Sequence, residues 1–424
     1  MQVFLFLQGP ISPFFAELGA ALEHAGHRVL RVNVNLGDWL FWRLWSDGAG
    51  RTFNYRGTSA RWPAWIAALM AREGVTDLIL LGEQRFYQRA AIAAAKDCKV
   101  AVSVTDFGYL RPDWITLERD GMSGDSRLPR TPEAIRALAR QAPPADLAPR
   151  YTDDFGLQAT WDVVFHIASM LGRPLYPFYR SYHIHHPVLN YLGTGWRLLR
   201  RSANTRRANE AIADLKESRA PYWILPMQME VDFSIRAYSP YPDMVTPLRE
   251  VIGSFARHAP GGDRLMVRLH PLDPGVRNWR RLIRGMAEAA GVAGRVLFTD
   301  GGSLDALLAG ARGVVTVNST VGVWSIRAGI PTKTLGQAVF NIEGLVCGGT
   351  LDAFWQNPTP PDPALVDDFV RAIADTIQLR GVYYHKVGRR AGVFGTMERL
   401  RAVTRDALDR RLAEAATTTA VTAE

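Results

Sequence analysis

The sequence predicts an α/β chain made of two Rossmann-like halves. Three observations carry that expectation. Apolar, β-branched runs alternate with amphipathic or alanine-rich stretches, first over residues 2–105 and again over 222–335. The strand-like runs are apolar almost throughout, as in parallel strands covered on both faces. Several runs stop at small or polar residues, where an open α/β sheet offers its strand ends to ligands.

Taken in order, residues 2–9 and 27–35 read as strands flanking a helix from Pro13 to Ala25. Pro63 to Arg72 reads as a helix with proline in its first turn. Residues 77–82 form an apolar strand, Arg89 to Lys96 a helix, and 100–105 the next strand. From Gly108 to about Arg150, scattered Pro and Asp predict loops lying over a cleft. Tyr176 to Pro187 is aromatic and histidine-rich, and Trp196 to Lys216 is a basic helical stretch. Second-half strands are expected at 222–227, 264–269, 296–299, 313–318 and 332–335. A last helix at 395–415 is expected to pack back across the hinge, and Ala415 to Glu424 to fray.

This order predicts residues 1–185 as an N-terminal Rossmann-like domain. A basic helical connector would span 186–216, a second Rossmann-like domain 217–385, and a C-terminal helix and tail 386–424. Two such halves facing a cleft make the GT-B-like architecture of many sugar transferases and some epimerases.

The composition narrows the partners. The formal charge is +9 with a pI near 9.7, consistent with nucleic acid, an anionic membrane face or an acidic small substrate. No usual nucleic-acid module is visible, so nucleic acid comes last. Two distant cysteines, Cys98 and Cys347, suggest a reducing compartment. No apolar stretch approaches ~20 residues, and Met1 to Pro10 reads as a buried strand rather than a signal peptide. The arginines from Trp196 to Arg207 could rest on an anionic bilayer, although a basic helix face is more commonly just solvated.

Two motifs fit a phosphate. His270-Pro271 follows one strand, and Asn318-Ser319-Thr320 opens a helix after another, with Ser319 or Thr320 as cap and helix amides left for an anion. A plain capping motif and a packed turn histidine explain each one singly. Glu83 and Asp106 end adjacent strands of the first half, the pair that glycosyl transfer needs as nucleophile and acid/base. Scaffold pairing with Arg85 or Arg111 is the competing explanation. Asp113 and Glu118 are weaker candidates, and Gln228, Glu230 and Asp232 alternate like a strand edge. Arg85, Arg111, Arg236 and Arg268 suit an acidic sugar's carboxylate. His183-Ile184-His185-His186 lacks a carboxylate partner in spacing, so no metal site is expected.

The chain resembles the capsular polysaccharide biosynthesis/export family of retaining β-Kdo glycosyltransferases. The likeness rests on Phe6-Leu7-Gln8-Gly9-Pro10, Gly82-Glu83-Gln84-Arg85-Phe86-Tyr87 and Gly108-Tyr109-Leu110-Arg111-Pro112-Asp113-Trp114. It continues in His270-Pro271-Leu272-Asp273, Thr316-Val317-Asn318-Ser319-Thr320 and Leu351-Asp352-Ala353-Phe354-Trp355. Three positions depart from the family pattern: Phe107 replaces an acidic residue, Glu83 an aspartate and Gln88 a histidine.

The resemblance implies transfer of Kdo or a related acidic sugar from a CMP-sugar to an anionic phospholipid or Kdo-lipid acceptor. Asp106 and Glu83 would be catalytic. His270, Pro271, Asn318, Ser319, Thr320 and Arg268 would hold the nucleotide sugar, and Arg85, Arg111 and Gln8 the acidic sugar or acceptor. No cofactor is implied beyond the CMP-sugar substrate. The expected location is cytoplasmic, peripheral at the inner membrane, with capsule assembly proteins as further partners. An epimerase-like enzyme on the same fold and a non-catalytic capsule assembly component remain the alternatives.

Overall fold

The structure is a computed structural model that describes residues 1–181, 187–230 and 232–421. It divides into two compact units, residues 1–129, 133–182 and 369–424 in one and 130–132 and 183–368 in the other. Each is an α/β unit, so the fold is GT-B-like in composition.

The first unit runs β1 (Val3–Phe6), α1 (Phe14–His24), β2 (Arg28–Asn33), α2 (Leu36–Trp45), β3 (Arg51–Asn54), α3 (Trp62–Glu73), β4 (Asp77–Leu81), α4 (Phe86–Asp97) and β5 (Ala101–Phe107). β6 (Trp114–Arg119), α5 (Pro132–Gln141) and α6 (Phe155–Leu171) follow. Local chemistry explains several boundaries. Asn35 caps α2 by accepting the Asp38 amide at 2.8 Å, and Pro63 sits in the first turn of α3, where its missing N–H costs nothing.

In the second unit, α7 (Pro187–Glu217) leads to β7 (Tyr222–Pro226), α8 (Phe233–Tyr238), α9 (Val245–His258), β8 (Arg264–Arg268), α10 (Trp279–Ala289) and β9 (Val296–Thr299). α11 (Leu304–Leu308), β10 (Gly313–Thr316), α12 (Val321–Arg327), β11 (Thr332–Thr334) and α13 (Leu351–Phe354) complete it. The chain returns to the first unit within α14 (Pro363–Thr376). It then forms β12 (Gln378–Arg380), α15 (Lys386–Leu400) and α16 (Ala402–Val421).

Among the described residues, the first sheet has seven strands in the order β12-β6-β5-β4-β1-β2-β3, and the second has five in the order β11-β10-β7-β8-β9. Every pairing of the second sheet is parallel. In the first, β6 pairs antiparallel with β5 and β12 antiparallel with β6. In each sheet the chain works outward on one side of the first strand, then crosses to the other. The crossing falls between β1 and β4 in one and between β7 and β10 in the other. Those reversals are where open α/β sheets leave room for ligands.

Three sequence expectations need correction. The stretch from Gly108 to Arg150 is not all loop, because β6 and α5 lie within it. β6 alternates poorly since its residues from Trp114 to Glu118 are all buried, and pairing on both edges satisfies its backbone. Glu230 and Asp232 do not continue a strand: β7 ends at Pro226, and Asp232 caps α8 by accepting the Ser234 amide at 2.9 Å. The Thr/Ala-rich tail, expected to fray from Ala415, is helical as far as Val421, in keeping with the helix propensity of alanine, and residues 422–424 lie outside those described.

Candidate functional site

In the first unit the predicted residues gather at the carboxyl ends of β1, β4 and β5. Leu81 pairs with Thr105, and the Gly82 amide donates to the Thr105 carbonyl at 3.1 Å, so Gly82 lies level with Asp106. Gly82 has φ 63°, a left-handed conformation that a residue with a Cβ adopts only under strain. The turn delivers Glu83, which is buried, onto the end of β4 beside the end of β5. Asp106 is half-buried within β5 rather than just past it. Its Oδ1 accepts the Phe107 amide at 2.7 Å.

Gln8 and Arg85 also come together. Leu81 donates its amide to the Gln8 carbonyl at 3.2 Å, and Arg85 Nη1 donates to Gln8 Oε1 at 3.3 Å. Gln8 Nε2 in turn donates to Asp38 Oδ1 at 3.2 Å. Arg111 takes a different place, with its guanidinium 5.1 Å above the Phe107 ring. Phe107 thus holds a cation by its π face. Gly9 keeps the following loop tight, since a Cβ there would lie 2.3 Å from the Phe15 ring.

Beneath Gln8 lies a buried ion pair that the sequence reading missed. Arg31 Nη2 is 3.4 Å from Asp38 Oδ1, Arg31 Nε donates to Asn33 at 3.0 Å, and Asp38 Oδ2 accepts the Val34 amide at 3.1 Å. Burial pushes the Asp38 carboxyl up and the Arg31 guanidinium down, and each charge opposes the other's shift. The adjoining cavity, lined in part by Gly9, Ser12, Arg31 and Asp38, measures about 20 Å³, room for a water and not for a sugar. The Asn35…Asp38 spacing signals a helix start but does not show that the aspartate turns back to pair with an arginine of the strand just before it.

A second missed residue is Tyr383. Its hydroxyl donates to the Asp106 carbonyl at 3.1 Å and shares a 2.8 Å hydrogen bond with Thr105 Oγ1. Burial pushes that hydroxyl's pKa well up, so it remains a donor. The weaker carboxylate candidates are engaged elsewhere. Asp113 pairs with Arg380 at 2.6 Å and accepts the Arg150 and Tyr151 amides, and Glu118 accepts the Tyr109 hydroxyl at 2.9 Å and the Ser126 hydroxyl.

In the second unit Gln228 and Asn318 meet across the reversal between β7 and β10. The Asn318 amide donates to Gln228 Oε1 at 3.1 Å, and Gln228 Nε2 donates to Asn318 Oδ1 at 2.8 Å. Ser234 joins them, donating its hydroxyl to Asn318 Oδ1 at 3.0 Å. His270 follows β8 on the other side of β7, so strand spacing sets it roughly 10 Å from Asn318. The Leu272 amide donates to His270 Nδ1 at 3.1 Å, which puts the neutral ring's proton on Nε2.

The helix amides differ from expectation. Thr320 stands at the cap of α12 without a side-chain cap bond, while Ser319 Oγ accepts the Val321 amide at 3.2 Å. The Gly322 amide is taken by the Ser319 carbonyl at 2.9 Å. The turn therefore consumes amides that the sequence reading assigned to an anion. Arg268 is also largely internal: Nη2 donates to the Gly302 carbonyl at 3.1 Å, Nε finds no partner among the described residues, and burial lowers its pKa.

Arg197 of α7 clamps the His270-Pro271 loop. It pairs with Asp300 and donates to the carbonyls of Pro271, at 3.3 Å, and of Asp273. One arginine of the basic stretch is thereby an internal ion-pair partner rather than a surface charge. Arg236 packs 5.1 Å above Phe233, and Glu230 pairs with Arg277 at 2.9 Å. The His183-Ile184-His185-His186 run lies outside the described residues. Among those described, no group of three or more His, Cys, Asp or Glu is placed to hold a metal ion, and no helix is long and apolar enough to cross a membrane.

Residues 76–384 match the family model described as capsule polysaccharide biosynthesis protein. The capsule polysaccharide export protein KpsS of Escherichia coli is 30% identical over 386 residues, covering 90% of this chain and 96% of that protein. The capsule polysaccharide modification protein LipB of Neisseria meningitidis is 28% identical over 397 residues, covering 90% and 92%. Among solved structures, the KpsC β-Kdo 2,7 transferase of Thermosulfurimonas dismutans aligns over 94% of this chain and 99% of that one, at 14% identity and a TM-score of 0.42. The match over most of the chain, and a relative aligned almost end to end, make this protein a member of the capsule polysaccharide biosynthesis family.

Proposed function

We propose that the protein is a glycosyltransferase moving Kdo, or a related acidic sugar, from a CMP-sugar to a lipid or Kdo-lipid acceptor. The observation that carries this reading is the pair of carboxylates, Glu83 and Asp106, at neighbouring strand ends of a unit whose family builds capsule. In the proposed chemistry Asp106 attacks the anomeric carbon and CMP departs with the bonding pair. An acceptor hydroxyl then displaces Asp106 while Glu83 takes its proton, so two inversions retain configuration. Gln8 and Arg85 provide an amide and a guanidinium for the sugar's carboxylate. Arg111, over Phe107, would supply a second cation.

The second unit is assigned to the nucleotide. His270 Nε2–H would donate to the phosphate, with Asn318, Ser319 and Thr320 lining the neighbouring strand end and Pro271 and Arg268 shaping the loop. The acceptor's lipid puts the work at the cytoplasmic face of the inner membrane, where exposed arginines of α7 would meet anionic headgroups. Incubation with a panel of CMP-sugars and anionic lipids, followed by mass spectrometry, tests the reading. A glycolipid one acidic sugar heavier supports it; donor converted without an acceptor, or donor bound without turnover, sinks it.

His270→Ala is expected to weaken CMP binding about tenfold or more, the worth of one hydrogen bond to a charged group. Titration calorimetry reads this directly. Unchanged affinity would remove His270 from the nucleotide grip.

A further inference from the structure

α6 is apolar on nearly every side, yet only one side is covered. Its inner face packs on α2, with Phe165 6.0 Å from Phe41 and Trp161 6.1 Å from Trp45. The outer face leaves Val163, Val164, Ile167, Met170 and Leu171 in solvent, and the turn after Gly172 adds Leu175 and Phe178. These are not grazed edges: Leu171 is 69% exposed, and Met170 and Phe178 are each 54% exposed. A continuous run of this kind exceeds the single exposed apolar residues that any surface carries.

We propose that this outer face of α6 and its following turn is a bilayer-insertion surface that seats the protein in anionic lipid. It deepens the membrane-face part of the reading above and rests on it. Charge favours this occupant. Arg173 and Arg180 are the exposed charged side chains between Phe155 and Ser181, and Arg43 is the exposed charge on α2. The exposed carboxylates nearby, Asp154 and Asp47, lie just beyond the ends of α6 and α2, so the apolar face itself is bordered by cations. Asp162 lies within the helix but is half-buried. The surface also offers little to a protein partner. Interfaces carry roughly one hydrogen bond per 100–200 Å², whereas Val, Ile, Met, Leu and Phe side chains donate and accept none. Lipid hydrocarbon asks for no hydrogen bonds, and an amphipathic helix lying in the headgroup boundary is held by apolar area plus basic charge.

The test is flotation of the full chain with vesicles of phosphatidylcholine alone, or of equal parts phosphatidylcholine and phosphatidylglycerol. Wild type is expected to float with the anionic vesicles. The pair Ile167→Asp and Leu171→Asp, at exposed positions that leave the α2 contact intact, is expected to lower partitioning about tenfold or more. Circular dichroism and thermal melting check that the variant is folded. Phe178→Trp supplies a second reading, an emission blue shift on adding anionic vesicles. If the pair variant is folded and floats as wild type does, the assignment to α6 is overturned, while the membrane reading survives on the α7 arginines. Should wild type itself fail to float, both fall. A wild-type dimer in light scattering that the pair variant abolishes, without flotation, would assign the face to a second copy instead.

Discussion

Asp106→Asn is expected to lower the rate of sugar transfer by about a thousandfold or more while leaving the fold and donor binding as they are. The exchange is isosteric. An asparagine Oδ1 still accepts the Phe107 amide, and the Tyr383 hydroxyl donates to a backbone carbonyl that the substitution does not touch. What disappears is the anionic oxygen that would form the covalent bond to the sugar. Product analysis by mass spectrometry, with calorimetry for CMP-sugar affinity, separates chemistry from binding. Full transfer by the variant would show that Asp106 is not the nucleophile. Glu83→Gln is expected to cost less, because CMP can still depart to Asp106 when the acceptor hydroxyl has no base.

Asp38→Ala is expected to destabilise the first unit by about 3–5 kcal/mol, since it leaves Arg31 charged in a dry interior. Both side chains are almost fully enclosed, at 4% exposure for Arg31 and 2% for Asp38. Arg31 retains its bonds to Asn33 and the Leu7 carbonyl, and its stacking 5.4 Å over Trp42, but loses its counter-charge. At roughly 2–4 °C per kcal/mol, melting should fall by about ten degrees. The double variant Arg31→Met with Asp38→Leu should recover most of this, because an apolar pair of similar volume has no charge to desolvate. A melting point for Asp38→Ala within a degree or so of wild type would mean that the pair contributes little. Since Gln8 Nε2 donates to Asp38, even the recovered double variant should handle the acidic sugar poorly.

The candidate site divides according to how local its causes are. His270, Asn318, Glu83 and Asp106 were legible because each stands where an apolar run stops, and strand ends are where α/β sheets bind. Gln228 was legible only as one of three alternating polar residues. Its partner is Asn318, 90 residues away, and only parallel pairing of β7 with β10 brings them level. Tyr383 left no signal at all. It reaches Asp106 because β12 adds to the edge of β6, a pairing decided over some 260 residues of separation. A strand of three residues, Gln378–Arg380, has no periodicity to read.

By itself the sequence determined the layered α/β plan and the polar punctuation at its strand ends. Burial of continuous apolar runs admits few other solutions, and composition and spacing are local properties. The tertiary structure alone decided which ends become neighbours, that Arg31 and Asp38 share one buried site, that α12 uses up its own first amides, and that α6 keeps a dry-looking face uncovered. Which ends meet and what leaves α6 uncovered depend on pairs of distant segments, whereas the Arg31–Asp38 pair and the amides of α12 are set by the path the chain takes between a strand end and the helix after it. The reach of a hydrogen bond, about 3 Å, makes such pairings all-or-none.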